Sequence, residues 1–152
     1  MFRSYYQVGL LIFVLSSCSK ANEYSELTSV PIIPQPFSVE STKGSFELTN
    51  NSPIYVNSAT SEWLNLAEIL AEKLRPSTNF PLNILVAQEP TISGICFNEI
   101  NDPELGEEGY ELFITDKFLT ISANSAQGGF RAIQTVRQLF RSEERRVGKE
   151  CS

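Results

Sequence analysis

The chain has 152 residues, 41% hydrophobic and 20% charged, a composition that suits one globular domain. It contains no histidine, which excludes a Ser-His-Asp or Cys-His nucleophile, a His-ligated metal and a histidine proton shuttle. Twelve Lys+Arg against 18 Asp+Glu give a net charge of −6, the wrong sign for a nucleic-acid partner, and a complete (β/α)8 barrel, which needs roughly 250 residues, does not fit.

Residues 1–17 carry one charge, Arg3, followed by an apolar run from Val8 to Leu15 that is too short to span a bilayer and reads as a secretory signal peptide. Leu15-Ser16-Ser17-Cys18 resembles the bacterial lipobox. There a peptidase with a tight pocket cuts before the cysteine, whose thiol accepts the lipid, so Cys18 is the expected lipidation site. The product would be an exported lipoprotein of the periplasm or cell surface, held on the membrane through Cys18; one acyl chain holds a protein only marginally, so several are needed. Residues 18–29, polar with Lys20, Asn22, Glu23 and Glu26, form a tether.

At the other end the composition changes abruptly. Arg141 to Ser152 has one apolar aliphatic residue, Val147, and no helical or strand period. The stretch Arg141 to Cys151 resembles the conceptual translation of a common short-read sequencing adapter. Residues 141–152 are therefore expected to be adapter-derived, leaving Cys151 and Arg145-Arg146 without function and residues 30–140 as the domain. Between Cys18 and Phe140 stand 7 basic and 15 acidic residues, a net charge of −8. Cys96, in the run Ile95-Cys96-Phe97, is the one thiol left for the domain; it forms no disulfide framework and is expected to be a small buried hydrophobe.

Val30-Pro31-Ile32-Ile33-Pro34-Gln35-Pro36 should run extended over the surface, because its prolines fix φ and remove donors. Alternation at Phe37/Val39 and Phe46/Leu48 and the β-branched run Ile54-Tyr55-Val56 predict three short strands, separated by turns at Thr42-Lys43-Gly44 and Asn50-Asn51-Ser52-Pro53. From Thr60 the period becomes helical: Trp63, Leu66, Ala67, Leu70, Ala71 and Leu74 form one stripe, opposite Glu62, Glu68, Glu72 and Lys73, and Pro76 is expected to end the helix. Strand signals return at Leu82–Ala87, Ser93–Asn98, Tyr110–Ile114 and Phe118–Ser122. Thr115-Asp116-Lys117 is short enough to make the last two an antiparallel hairpin. A second helix is expected from Gln127 to Phe140, with Phe130, Ile133, Val136, Arg137 and Phe140 on one stripe and Gly128-Gly129 allowing close approach at its start. The predicted class is α+β: a mostly antiparallel sheet of about seven short strands with two amphipathic helices packed on it.

These residues carry a resemblance. The runs Glu108-Gly109-Tyr110-Glu111-Leu112-Phe113-Ile114, Leu119-Thr120-Ile121-Ser122-Ala123 and Ala126-Gln127-Gly128-Gly129-Phe130-Arg131-Ala132-Ile133-Gln134-Thr135-Val136-Arg137-Gln138-Leu139 are similar to the signature that closes the N-terminal domain of family twenty glycoside hydrolases, the β-N-acetylhexosaminidases. The Pro-rich opening at Val30 resembles that family as well. Ala132 and Val136 replace the family's usual Gly and Leu, exchanges that keep the stripe apolar. The resemblance covers about Val30 to Phe140. It implies a non-catalytic domain whose partner is the catalytic barrel that follows it in the family. In that barrel an Asp-Glu pair and the substrate's own 2-acetamido group perform retaining hydrolysis, so a glycan is substrate only of the full-length enzyme. No Asp-Glu dipeptide occurs in this chain, and Trp63, its single tryptophan, lies on the buried stripe. No catalytic, cofactor-binding or metal-binding residue is assigned, and the fragment is expected to be inactive alone. Similar domains precede other barrel glycosidases, which is one alternative. A small surface lipoprotein that binds glycans or protein is another.

Other features have plain structural readings. Glu104, Glu107, Glu108 and Glu111 around Gly106 and Gly109 read as a solvated turn, since a loop of glutamates supplies neither the fixed separation nor the raised pKa of a catalytic pair. Asn101-Asp102-Pro103 is a turn signal. Phe37, Phe46, Tyr55, Phe97 and Phe113 are expected in the core.

Overall fold

The computed structural model describes residues 32–40 and 45–147, with side-chain surroundings defined through residue 140. The lipobox, Cys18 and the tether lie outside the described residues. The elements are β1 (Ile54–Val56), α1 (Ser61–Thr78), β2 (Ile84–Val86), β3 (Gly94–Glu99), β4 (Tyr110–Ile114), β5 (Phe118–Ala123) and α2 (Ala126–Val147).

The class is α+β, but the sheet is neither seven-stranded nor mostly antiparallel. Five strands lie in the order β2-β1-β3-β5-β4. The pairs β1/β2, β1/β3 and β3/β5 are parallel, and only the β4/β5 hairpin is antiparallel. Helix α1 forms the crossover from β1 to β2, as a parallel pair requires. Residues Phe37/Val39 and Phe46/Leu48 alternate in sequence yet form no strand. Pro34 and Pro36 remove donors beside the first of these, while Phe46 and Leu48 rest half-buried against the core without joining the sheet.

Helix-facing residues cross the sheet in two rows. One is Ile84, Ile54, Ile95, Leu119 and Ile114; the next is Val86, Val56, Phe97, Ile121 and Leu112. Onto these rows α1 packs its expected stripe, with Trp63, Leu66, Ala67, Leu70, Ala71 and Leu74 all buried. Ala132, Ile133 and Val136 of α2 complete the core, and the Trp63 and Phe97 rings meet edge-on with centroids 6.4 Å apart.

Both helix ends differ from the sequence expectation. Pro76 does not stop α1, which continues to Thr78 and closes at Asn79, whose left-handed backbone (φ 57°) sends its N–H to the Arg75 carbonyl at 2.8 Å. The hydroxyls of Ser77 and Thr78 donate to the Leu74 carbonyl at 3.0 and 2.9 Å, adding side-chain bonds to the last turn of the helix. Helix α2 runs to Val147, beyond Phe140. The added run Arg141-Ser142-Glu143-Glu144-Arg145-Arg146 lacks an apolar stripe, but Arg and Glu are strong intrinsic helix formers.

Not every aromatic is core. Tyr55 and Phe97 are buried and Phe46 partly so, but Phe37 and Phe113 are exposed. Phe130 is exposed too, because it leaves the line through Ile133 and Val136 toward the solvent side of α2. On the sheet face away from the helices, Leu85, Tyr55, Cys96, Thr120 and Phe113 form a single row, with exposed Leu85 and Phe113 at its two ends. Residues 87–93 join β2 to β3, and within them the Ile92 N–H donates to the Tyr55 hydroxyl at 3.1 Å.

Candidate functional site

The signature residues converge on the joint between the β5 end, the start of α2 and the loop that precedes β4. Ser125 caps α2. Its Oγ accepts from the N–H groups of Gln127 (3.1 Å) and Gly128 (3.4 Å) and donates to the Glu107 carbonyl at 2.5 Å. Beside it, the Asn124 amide accepts from the Asp102 N–H at 2.7 Å and donates to the carbonyls of Asp102 (2.6 Å) and Gly106 (2.9 Å). Two side chains at the end of β5 thereby hold the whole 102–107 loop.

The paired glycines serve contact, as the sequence suggests. A Cβ on Gly128 would stand 2.2 Å from the Gly109 carbonyl oxygen, and one on Gly129 would meet Leu66 Cδ1 at 2.8 Å and the Trp63 ring at 3.3 Å. Farther along α2, the buried Thr135 hydroxyl bonds the Tyr110 hydroxyl at 2.6 Å, joining the helix to the edge strand β4. Gln138 reaches the N-terminal strap, residues 32–40, which form neither helix nor strand. Its Nε2 donates to the Ile33 carbonyl at 2.7 Å while its Oε1 accepts the Ile33 N–H at 2.9 Å.

The acidic cluster is the solvated turn that the sequence predicts. Glu104, Glu107, Glu108 and Glu111 are all exposed, and Glu108 pairs with Arg131 across the surface at 2.6 Å. Asp102 makes the expected turn, its Oδ1 accepting the Glu104 N–H at 2.9 Å. A cleft of about 430 Å³ lies between the start of α1 and the start of α2, with Glu62, Asn65, Glu107, Ser125 and Gln127 in its lining. Its two carboxylates are exposed, and Ser125 is already committed as the helix cap. Cys96 is a buried hydrophobe, 5% exposed, and burial pushes its thiol up to about 11. It stays protonated at neutral pH and is a poor nucleophile.

Sequence reasoning ties Gly128-Gly129 to packing, and it misses the Gln138 clasp, the Asn124 anchor and the Tyr110–Thr135 bond. Those depend on which carbonyl or hydroxyl lies opposite in space. Tyr110, Thr135 and Gln138 sit inside the quoted signature, so the pattern marks their positions without giving their partners.

The sequence model of glycosyl hydrolase family 20, domain 2, matches residues 29–150, and the chain belongs to this family. It is 31% identical over 142 residues to a beta-hexosaminidase of Porphyromonas gingivalis (strain ATCC BAA-308 / W83), an alignment covering 89% of this chain and 18% of that protein. A beta-N-acetylhexosaminidase of Cellulomonas fimi is 29% identical over 117 residues, covering 76% and 23% respectively. Among solved structures, the family 20 β-N-acetylhexosaminidase of Streptomyces coelicolor A3(2) superposes with a TM-score of 0.62 at 33% identity, over 68% of this chain and 20% of that one. The β-N-acetylhexosaminidase of Bacteroides fragilis NCTC 9343 gives a TM-score of 0.56 at 25% identity, over 70% and 20%. The chain thus spans about a fifth of the length of the relatives it matches.

Proposed function

We propose that this chain is the N-terminal, non-catalytic domain of a longer, exported β-N-acetylhexosaminidase. The parent removes terminal N-acetylhexosamine from glycans by substrate-assisted retaining hydrolysis, and a catalytic barrel following this domain performs the chemistry. One observation carries the reading: the signature residues Gly128, Tyr110, Thr135 and Gln138 all spend their contacts inside the domain, on backbone approach, a buried hydroxyl pair and the strap. That is what a supporting domain needs. Lipid on Cys18 anchors the parent to a membrane, and residues 141–152 are adapter-derived sequence replacing the natural continuation.

Amplifying and sequencing genomic DNA across the codons after Leu139 tests the reading. It requires a frame that continues into a barrel carrying an Asp-Glu pair, and a stop within a few codons overturns it. The 152-residue chain should release no product from a chromogenic N-acetylglucosaminide above a vector control, whereas the longer product should turn it over. Labelled palmitate entering the wild-type protein and not Cys18→Ser tests the anchor separately.

A further inference from the structure

We infer that the β2 edge of the sheet is a self-association surface, on which a second copy of this chain adds its own β2 antiparallel to the first. The inference stands apart from the parent reading, since it uses only residues of this chain. Strand β2 ends the sheet, with β1 on one side and no strand on the other among the described residues. Its ladder to β1 uses the Asn83 carbonyl, Leu85 in register with Tyr55, and the Ala87 N–H. Successive residues of a strand turn their polar groups to opposite sides, so the N–H and C=O of Ile84 and Val86 point outward, where no described residue meets them. Native edges are normally blunted by a charge, a proline or a bulge. Between Leu82 and Gln88 there is neither charge nor proline, and the register with β1 is unbroken, whereas the opposite edge, β4, carries Glu111 in mid-strand. Leu85 and Val86 are instead exposed.

Backbone geometry sets the register. An antiparallel pair exchanges both of its bonds between directly opposed residues. Both outward-facing residues are therefore served when Ile84 of one copy opposes Val86 of the other, with a two-fold axis at Leu85. The side chains select a second copy as the occupant. This register lays Leu85 on its own symmetry mate and the exposed Val86 of each copy against Ile84 of the other, so every opposed pair is apolar. Carried past the strand ends, it brings Glu89 opposite Pro81, whose carbonyl accepts from Arg75 Nε at 3.0 Å. A carboxylate of each copy thus approaches a guanidinium of the other, and Glu89 has no ion pair of its own among the described residues. The net charge of −6 opposes the contact at long range, and salt screens that repulsion more than it screens a close pair. Strands this short bury little area, which places the association in the weak, transient class.

Sedimentation equilibrium tests this on the 152-residue chain carrying Cys18→Ser and Cys151→Ser, in about 0.15 M salt. A monomer–dimer equilibrium is expected, and a monomer alone up to millimolar concentration overturns the inference. Val86→Pro removes an outward donor and no bond to β1, while Val86→Lys puts a charge on the edge and covers the case in which proline unfolds the strand. Each should raise the dissociation constant by about tenfold or more with an unchanged circular-dichroism spectrum. Glu89→Lys should raise it severalfold. In the same background Leu85→Cys sets two thiols across the axis, with Cα atoms about 4.5 Å apart, within disulfide reach. Mild oxidation should give a covalent dimer there and none with Phe113→Cys; Cys96 is buried. Dimers that persist through both Val86 variants, or that cross-link as readily at Phe113→Cys as at Leu85→Cys, overturn the inference. A genomic frame that stops overturns the parent reading and leaves this inference standing. Loss of the Leu85→Cys cross-link in a longer gene product overturns this inference and leaves the parent reading standing.

Discussion

Gly128 and Gly106 are both glycines in the signature region, but opposite physics holds them. At Gly128 the obstacle is the neighbour: a Cβ would sit 2.2 Å from a backbone oxygen that can yield only by moving the loop. At Gly106 there is open space, and the constraint is its own backbone at φ +67°. Asparagine separates the two cases, because it tolerates the left-handed region. Gly106→Asn should leave urea stability nearly unchanged. Gly128→Asn, like Gly128→Ala, should cost about 1–3 kcal/mol as an overpacked contact and lower the melting temperature by several degrees. Cys96 carries a pH prediction. Its thiol is raised from 9.0 to about 11 by burial, so the unfolded chain loses this proton first as pH rises. The associated stability is complete below pH 9 and is lost between about pH 9 and 11, on the order of 2 kcal/mol. Urea melts at pH 8 and pH 11 should show a smaller alkaline loss for Cys96→Ala than for the wild type, and equal losses would refute the burial argument.

At the scale of elements, the joint between α2 and β4 depends on the 2.6 Å bond between Tyr110 and the buried Thr135. Tyr110→Phe leaves the Thr135 hydroxyl without that partner and should cost about 1–2 kcal/mol, and a double-mutant cycle with Thr135→Val should return a coupling of about 1 kcal/mol. A coupling near zero would mean that solvent already serves both hydroxyls. The buried face of helix α1 was legible in the sequence, because six apolar residues at helical spacing admit one buried face and all six are buried, but its end was not, since the helix runs through Pro76 to Thr78. Strand pairing was not. Alternation states that a strand has a wet and a dry side, and says nothing of which strand lies beside it. The β4/β5 hairpin was readable because Thr115-Asp116-Lys117 leaves the chain no other course, whereas β1 and β2, three residues each, owe their parallel pairing to the whole of α1. Phe37 was misplaced for a related reason: its alternation with Val39 implies a buried side, and the described domain supplies none.

For the whole molecule, charge and exposed apolar surface oppose each other. The net charge of −6 keeps copies apart near neutral pH, although Leu85, Ile92 and Phe113 offer apolar area around the sheet face that no helix covers. The sequence pI is about 4.7, where this repulsion vanishes. Light scattering of the chain at low ionic strength should therefore stay flat at pH 7.5 and rise steeply as pH approaches the pI. Charge and patch can be separated by replacing Leu85 and Phe113 with threonine, which suits a strand and leaves the net charge unchanged. If the apolar row drives association, the double variant should remain clear to markedly higher concentration at the same pH, with an unchanged circular-dichroism spectrum. If it scatters as the wild type does, association runs through another surface, and the strap bearing Ile33 and Phe37 becomes the contact to substitute next.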